Sequence, residues 1–141
     1  MNIIIASDHA GFSLKSQIIA HYADKYSFTD CGTFSAESVD YPDFAHALAK
    51  KIVQTGNFGI LICGTGNGVA MTANKHANIR AALCWKEEIA QLARQHNNAN
   101  VLVLPARHID NELTFKLIDL FFATPFEGGR HEKRVQKIDI Q

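Results

Sequence analysis

Apolar residues in this chain fall into two kinds of stretch. Short, nearly continuous runs occur at residues 2–7, 59–62, 79–84 and 101–105. They read as strands covered on both faces. Between them, apolar residues recur every three or four positions, as on one face of a helix. Phe12, Ile18, Ile19 and Tyr22 predict a helix over residues 12–24. Phe44, Ala45, Leu48, Ala49 and Ile52 predict another from Pro42 to Gln54, with the proline in its first turn. Residues 27–31 form a more polar strand suited to a sheet edge. Lys86 to Gln95 and Asn111 to Phe122 give two further helices. Gly128-Gly129 turns the chain into a last helix ending near Ile138. Strand–helix alternation with buried Val/Ile/Leu runs implies an α/β fold, a three-layer α/β/α sandwich around a five-stranded parallel, Rossmann-like sheet joined by right-handed crossovers. No internal repeat or linker interrupts residues 1–141, so one domain is expected.

Composition narrows the classes of function. Of 141 residues, 47% are hydrophobic, enough for a substantial core. Lys plus Arg and Asp plus Glu both number 14, and no basic tract marks nucleic acid or an acidic membrane surface. No apolar run is long enough to span a bilayer, and Met1 opens no signal-peptide pattern. Three cysteines without C-x-x-C spacing point to a reducing, cytoplasmic setting and to neither disulfides nor a zinc site. Seven scattered histidines contain no H-E-x-x-H pair.

The chemistry concentrates after the third strand. Cys63 ends that strand, and Gly64, Gly66 and Gly68 alternate behind it, with Thr65 and Asn67 between them. Glycines let several backbone N–H groups converge, and the next helix adds the positive end of its dipole. Such a loop holds an oxyanion or phosphate, and a thiol at its mouth is expected to have a lowered pKa. The spacing fits neither G-x-G-x-x-G nor a Walker A loop. In parallel sheets ligands sit beyond the carboxyl ends of the strands. That rule brings Ser7-Asp8-His9-Ala10-Gly11 beside Cys63. Asp8 reads either as a proton carrier or as the cap of the Gly11 turn. Arg130 and Arg134, four apart on the last helix, form a paired phosphate ligand or a solvated face. Arg107 follows strand five, and His96-Asn97 reads as a polar surface loop before it. Cys31 and Cys84 read as small buried hydrophobes.

These residues together resemble the ribose-5-phosphate isomerase B / galactose-6-phosphate isomerase family. The resemblance rests on Ser7-Asp-His-Ala-Gly11, Asp40-Tyr41-Pro42, Cys63-Gly-Thr-Gly-Asn-Gly68, Ala73-Asn-Lys75, Arg94-Gln-His-Asn97 and Glu127-Gly-Gly-Arg-His131, in the family's order. It implies five parallel strands, a homodimer or dimer of dimers, and no cofactor or metal. It implies that Cys63 moves a proton between C1 and C2 of a sugar phosphate through an enediol. Gly64, Thr65, Gly66, Asn67 and Gly68 would stabilise the developing oxyanion. Asp8 would handle hydroxyl protons, and His96 would open the furanose ring with Asn97 beside it. His9, Arg107, Arg130 and Arg134 would hold the phosphate. One branch of the family replaces the cysteine by a glutamate on the following helix. Residues 69–72 carry no carboxylate here, which places the chain in the cysteine-base branch.

The expected function is therefore isomerisation of ribose 5-phosphate and ribulose 5-phosphate. The alternatives are a six-carbon substrate (galactose 6-phosphate or allose 6-phosphate) and a non-catalytic sugar-phosphate-binding regulator. Retention of Cys63, Asp8 and His96 together argues against the regulator. A parallel topology adds one expectation. His96 precedes strand five whereas Cys63 ends strand three, so a site using both would be shared between subunits.

Overall fold

The computed structural model describes residues 1–140. Five strands, β1 (Asn2–Ser7), β2 (Ser27–Asp30), β3 (Phe58–Cys63), β4 (Ala81–Leu83) and β5 (Val101–Pro105), pair in the order β2-β1-β3-β5-β4. Every pairing is parallel. The helices are α1 (Phe12–His21), α2 (Tyr41–Thr55), α3 (Asn67–Ala73), α4 (Glu87–Asn97), α5 (Asn111–Ala123) and α6 (Glu132–Val135). Successive side chains of a strand point to opposite faces, and both faces of the central strands are apolar. Ile3, Ile5, Ile60, Ile62, Leu102 and Leu104 pack under α1, α4 and α5. Ile4, Ala6, Leu61, Val101 and Val103 pack under α2 and α3. The three-layer parallel architecture expected from the run pattern is the one observed, and the polar β2 is an edge strand.

Several boundaries move, each for a local reason. The first helix ends at His21 rather than residue 24, because Tyr22 turns into the core and donates its hydroxyl to the Phe115 carbonyl at 3.1 Å. Strand β2 stops at Asp30, whose carboxylate turns back to accept from Gly32 N–H. Strand β4 is shorter than residues 79–84. Asn100 takes the Arg80 N–H, and the Asn74 amide brackets the backbone of Ala81 on both sides. His96 and Asn97 are not a loop. They form the last turn of α4, which closes on Asn98 in the left-handed region at φ 47°. The final helix ends at Val135, and the chain continues through tighter i→i−3 turns to Ile138. Arg130 lies in a 3-10 turn (Gly129–His131) ahead of α6, so it does not share a helix face with Arg134.

The order of the sheet positions the chemistry. From β1 the chain goes outward to β2 and then crosses to the other side at β3. The gap between the carboxyl ends of β1 and β3 is therefore the point where strand order reverses, and there a parallel sheet opens a crevice. Register makes the three central strands finish level, with Ser7 opposite Ile62 and Cys63 opposite Pro105. Asp8 and Gly64 follow the ends of β1 and β3 directly, and Arg107 stands two residues beyond the end of β5.

Candidate active site

Asp8 sits at the end of β1, 5% exposed, with its N–H bonded to the Ile62 carbonyl at 3.2 Å. Its side chain does two things. Oδ1 accepts the Gly11 N–H at 3.1 Å, capping the 3-10 turn His9–Gly11. Oδ2 accepts the Cys63 thiol at 3.1 Å. The cap reading is thus observed on Oδ1, while Oδ2 faces the thiol. Gly11 must be a glycine, since a Cβ there would stand 2.6 Å from Ile62 Cγ2.

The thiol overturns one expectation. The pKa of Cys63 is raised, not lowered. Burial is the largest cause, followed by the hydrogen bond to Asp8 and the negative charge of Asp8. The N–H groups of Gly64 and Gly66 do act on the sulfur in the expected direction, but they are outweighed. The glycine cradle was legible in the sequence; the carboxylate facing the thiol was a matter of topology. The other two cysteines differ from each other. Cys84 is fully buried, and burial pushes its thiol up to about 12, as a core hydrophobe requires. Cys31 is only half-buried, less enclosed than expected.

The loop after Cys63 is held on both sides. Gly66 takes φ 78°, a left-handed conformation, and a Cβ there would meet Leu83 Cδ1 at 2.5 Å. Arg107 binds the loop from β5. Its N–H donates to the Gly64 carbonyl at 3.0 Å, and its guanidinium lies over Gly64 where a Cβ would fall 3.2 Å from Nη1. Tyr41 packs its ring on Gly68, with Cζ only 2.5 Å from a Cβ position there. Tyr41 stands in a motif noted in the sequence but was given no role. His9 Nδ1 accepts the Val39 N–H at 3.2 Å, fixing the ring beside Asp8. Asp8, His9, Cys63, Gly64–Gly68 (with Thr65 and Asn67) and Arg107 therefore gather at the carboxyl ends of the strands.

His96, Asn97, Arg130 and Arg134 do not join them. The end of α4 returns to the start of β5, where Ala99 N–H bonds Ala93 O and Arg94 Nη1 holds Ala99 O at 2.6 Å. His96 and Asn97 thus lie at the amino end of the sheet, in a cavity of about 300 Å³ lined also by His131, Arg134, Val135 and Ile138. Five residues of β5 separate the two ends, roughly 16 Å at about 3.3 Å each. Glu127 and His131 complete the second cluster. The N–H of Glu127 donates to Gln95 O at 3.1 Å, and the His131 ring stacks on His96 at 4.2 Å. Burial, then the positive charges of His96 and Arg130, hold the His131 imidazole below its usual range. No role was assigned to Glu127 or His131 from sequence, although their i, i+4 spacing on either side of a Gly-Gly turn was visible.

The arrangement at the carboxyl end is a thiol and carboxylate sharing a proton beside a loop of N–H donors, which suits proton transfer at a carbon next to a carbonyl. Comparison with known proteins finds matches over nearly the whole chain. The family model described as Ribose/Galactose Isomerase matches residues 3–138. Ribose-5-phosphate isomerase B of Escherichia coli (strain K12) is 43% identical over 138 residues, covering 96% of this chain and 93% of that protein. The crystal structure of a ribose 5-phosphate isomerase from Thermotoga maritima superimposes with a TM-score of 0.95 at 52% identity, covering 98% of this chain and 97% of that one. The Mycoplasma genitalium ribose-5-phosphate isomerase B, solved with bound ribulose-5-phosphate, gives 0.92 at 46% identity, covering 97% and 93%. No helix among the described residues is long and apolar enough to cross a membrane. With the motifs in place along the chain, the strand order setting Asp8 against Cys63, and matches this long, the protein belongs to the ribose/galactose isomerase family.

Proposed function

We propose that this chain is a single-domain (residues 1–141), cytoplasmic ribose-5-phosphate isomerase that interconverts ribose 5-phosphate and ribulose 5-phosphate. The observation that carries the reading is the hydrogen bond between Cys63 Sγ and Asp8 Oδ2 at the mouth of the Gly64–Gly68 loop. A proton shift along that bond yields two groups at once, a thiolate base and a carboxylic acid. The thiolate takes the proton from C2 of the open-chain aldose, and Asp8 supplies one to the C1 oxygen, giving the enediol. Return of the carbon proton to C1, with loss of the C2 hydroxyl proton to Asp8, gives the ketose. The loop N–H groups and the Thr65 hydroxyl stabilise negative charge as it develops on oxygen. Arg107 and His9 bind phosphate from the same side, and His96 with Asn97 opens the furanose ring.

The separation of His96 from Cys63 supports a homodimer, or a dimer of dimers, with the site shared across a twofold axis. In that arrangement Arg130 and Arg134 reach the phosphate bound beside Cys63 of the partner. The relative with bound ribulose-5-phosphate supports the pentose substrate. The test is turnover of ribose 5-phosphate, allose 6-phosphate and galactose 6-phosphate by the purified protein. Ribose 5-phosphate is expected to give the highest kcat/KM. Preference for a six-carbon sugar reassigns the substrate, and turnover of none of the three overturns the isomerase reading.

A further inference from the structure

Ring opening by a single histidine leaves the second imidazole of the amino-end cluster without a task. The His96 and His131 rings lie nearly parallel, with planes 11° apart and centroids 4.2 Å apart. His131 is the inner ring, 6% exposed, and His96 is the outer one, with 35% of its side chain in solvent. A Glu127 oxygen comes to 3.6 Å from His131 Nε2 and 3.9 Å from His96 Nε2. Hydrogen bonds need about 2.7–3.2 Å, so this carboxylate orients neither ring. The last torsion of a histidine side chain is broad, and an imidazole on a helix end is free to turn unless something blocks it. What lies flat against His96 is the face of His131.

We propose that His131 is a positioning residue for ring opening, a buried plate that fixes the plane of the His96 imidazole; the proposal rests on the isomerase reading above. The plate is itself anchored. His131 N–H donates to Gly128 O at 3.0 Å, and Glu127 N–H ties the same turn to Gln95 O of α4 at 3.1 Å. Arg94 ties α4 to the Thr124 carbonyl at 3.2 Å, so the two backbones that carry the rings are fixed to each other. Burial, then the positive charges of His96 and Arg130, keep His131 uncharged at neutral pH, so it acts by shape rather than by charge. Ring opening breaks the C1–O4 bond of the furanose. The ring oxygen takes a proton from His96, the C1 hydroxyl gives one up to solvent and becomes the aldehyde, and the imidazole recovers its proton from solvent. Only one direction of the isomerisation needs this step. Ribose 5-phosphate closes through its C4 hydroxyl, whereas ribulose 5-phosphate stays open, because the hydroxyl that would close its furanose, at C5, carries the phosphate. A misplaced His96 therefore slows the aldose and spares the ketose.

The test is kcat from each side, with ribose 5-phosphate and with ribulose 5-phosphate, in three variants of His131. Equilibrium ties the two kcat/KM values together, so the split is read in kcat. His131→Gln and His131→Leu remove the ring, one with a polar and one with an apolar filler, and His131→Phe keeps a flat ring that cannot titrate. Gln and Leu are expected to lower kcat for ribose 5-phosphate by about tenfold or more, since misplacing a catalytic group by about an ångström can cost about 10²-fold. Their kcat for ribulose 5-phosphate stays at the native level, which also shows that the variants are folded. Phe restores the aldose rate. Normal aldose turnover in Gln and Leu, an equal fall in both directions, or a Phe variant as slow as the other two each overturns the plate. His96→Ala on the same two substrates tests the reading beneath. If it slows neither, ring opening does not use His96 and the proposal falls with it; if it slows the aldose while the His131 variants do not, the role of His131 alone is overturned.

Discussion

At the carboxyl end of the sheet, Cys63 and Asp8 are held by strand ends and by a loop packed under Arg107 and Tyr41, and both are nearly buried. At the amino end, His96, Glu127, His131 and Arg134 stand on a helix terminus and a run of short turns, with the carboxylate half exposed and Arg134 on the surface. The first region is built for a fixed proton path in a dry place. The second is built for reach, with long cationic side chains and rings over an open cavity. The difference teaches that one chain carries two polar regions that it does not itself join, which the proposed shared site would bring together. Chemistry at a carbon atom needs sub-ångström placement and gains from a low dielectric, so it belongs on strands. Phosphate capture tolerates flexible side chains, so it suits a helix end and its following turns.

The largest expected effect tests whether the halves meet between subunits. Cys63→Ala and His96→Ala should each lower kcat by about 10²–10⁴-fold, as loss of a general base or acid does. Dissociating and reassociating the two variants together makes about half the dimers mixed. In each mixed dimer one site carries both defects and the other neither, so about a quarter of wild-type activity should return. Mixing that restores nothing would break the comparison, since each site would then be built within one chain.

Arg134→Ala addresses the amino-end region alone. It should raise KM by about 10–150-fold, equivalent to about 1.5–3 kcal/mol for a charge-assisted hydrogen bond to phosphate, with kcat little changed. Inhibition by inorganic phosphate should weaken in parallel. Normal values of both would return Arg134 to the solvated surface.

The smallest effect sharpens the account of the carboxyl end. Asp8 raises the Cys63 pKa through its hydrogen bond and its charge, so the native thiol is mostly protonated at neutral pH. Asp8→Asn removes the negative charge and keeps a side-chain oxygen for the Gly11 cap. The thiolate fraction then rises, and alkylation of Cys63 by iodoacetamide near neutral pH should speed up several-fold even as turnover falls. In the wild-type protein the alkylation rate should climb with pH past the ordinary thiol range, with Cys84 remaining inert in its buried position. An unchanged or slower rate in Asp8→Asn would mean that burial, not Asp8, governs the sulfur.

Sequence by itself determined the strands, because unbroken runs such as Ile3–Ile5 and Gly59–Ile62 have no stable place except between two helical layers. It determined the glycine loop and the thiol at its mouth, since a side chain at Gly66 would combine a positive φ with a clash on Leu83, and one at Gly68 would clash with Tyr41. It could not show which groups face the sulfur. Asp8 and Cys63 are 55 positions apart, and only the crossing of the chain from β2 to β3 sets the ends of β1 and β3 side by side. Burial, and next to it that contact at 3.1 Å, reversed the expected direction of the thiol pKa by outweighing two backbone N–H groups. The Glu127–His96–His131 cluster was hidden for a related reason. Its members lie on elements with no shared periodicity, and they meet because Arg94, buried between Phe58 and Phe121, ties the end of α4 to the Thr124 carbonyl at 3.2 Å, just ahead of the Glu127 turn. Local pattern specifies which surfaces must be buried. Only the path of the chain between those surfaces decides which polar groups finish next to one another.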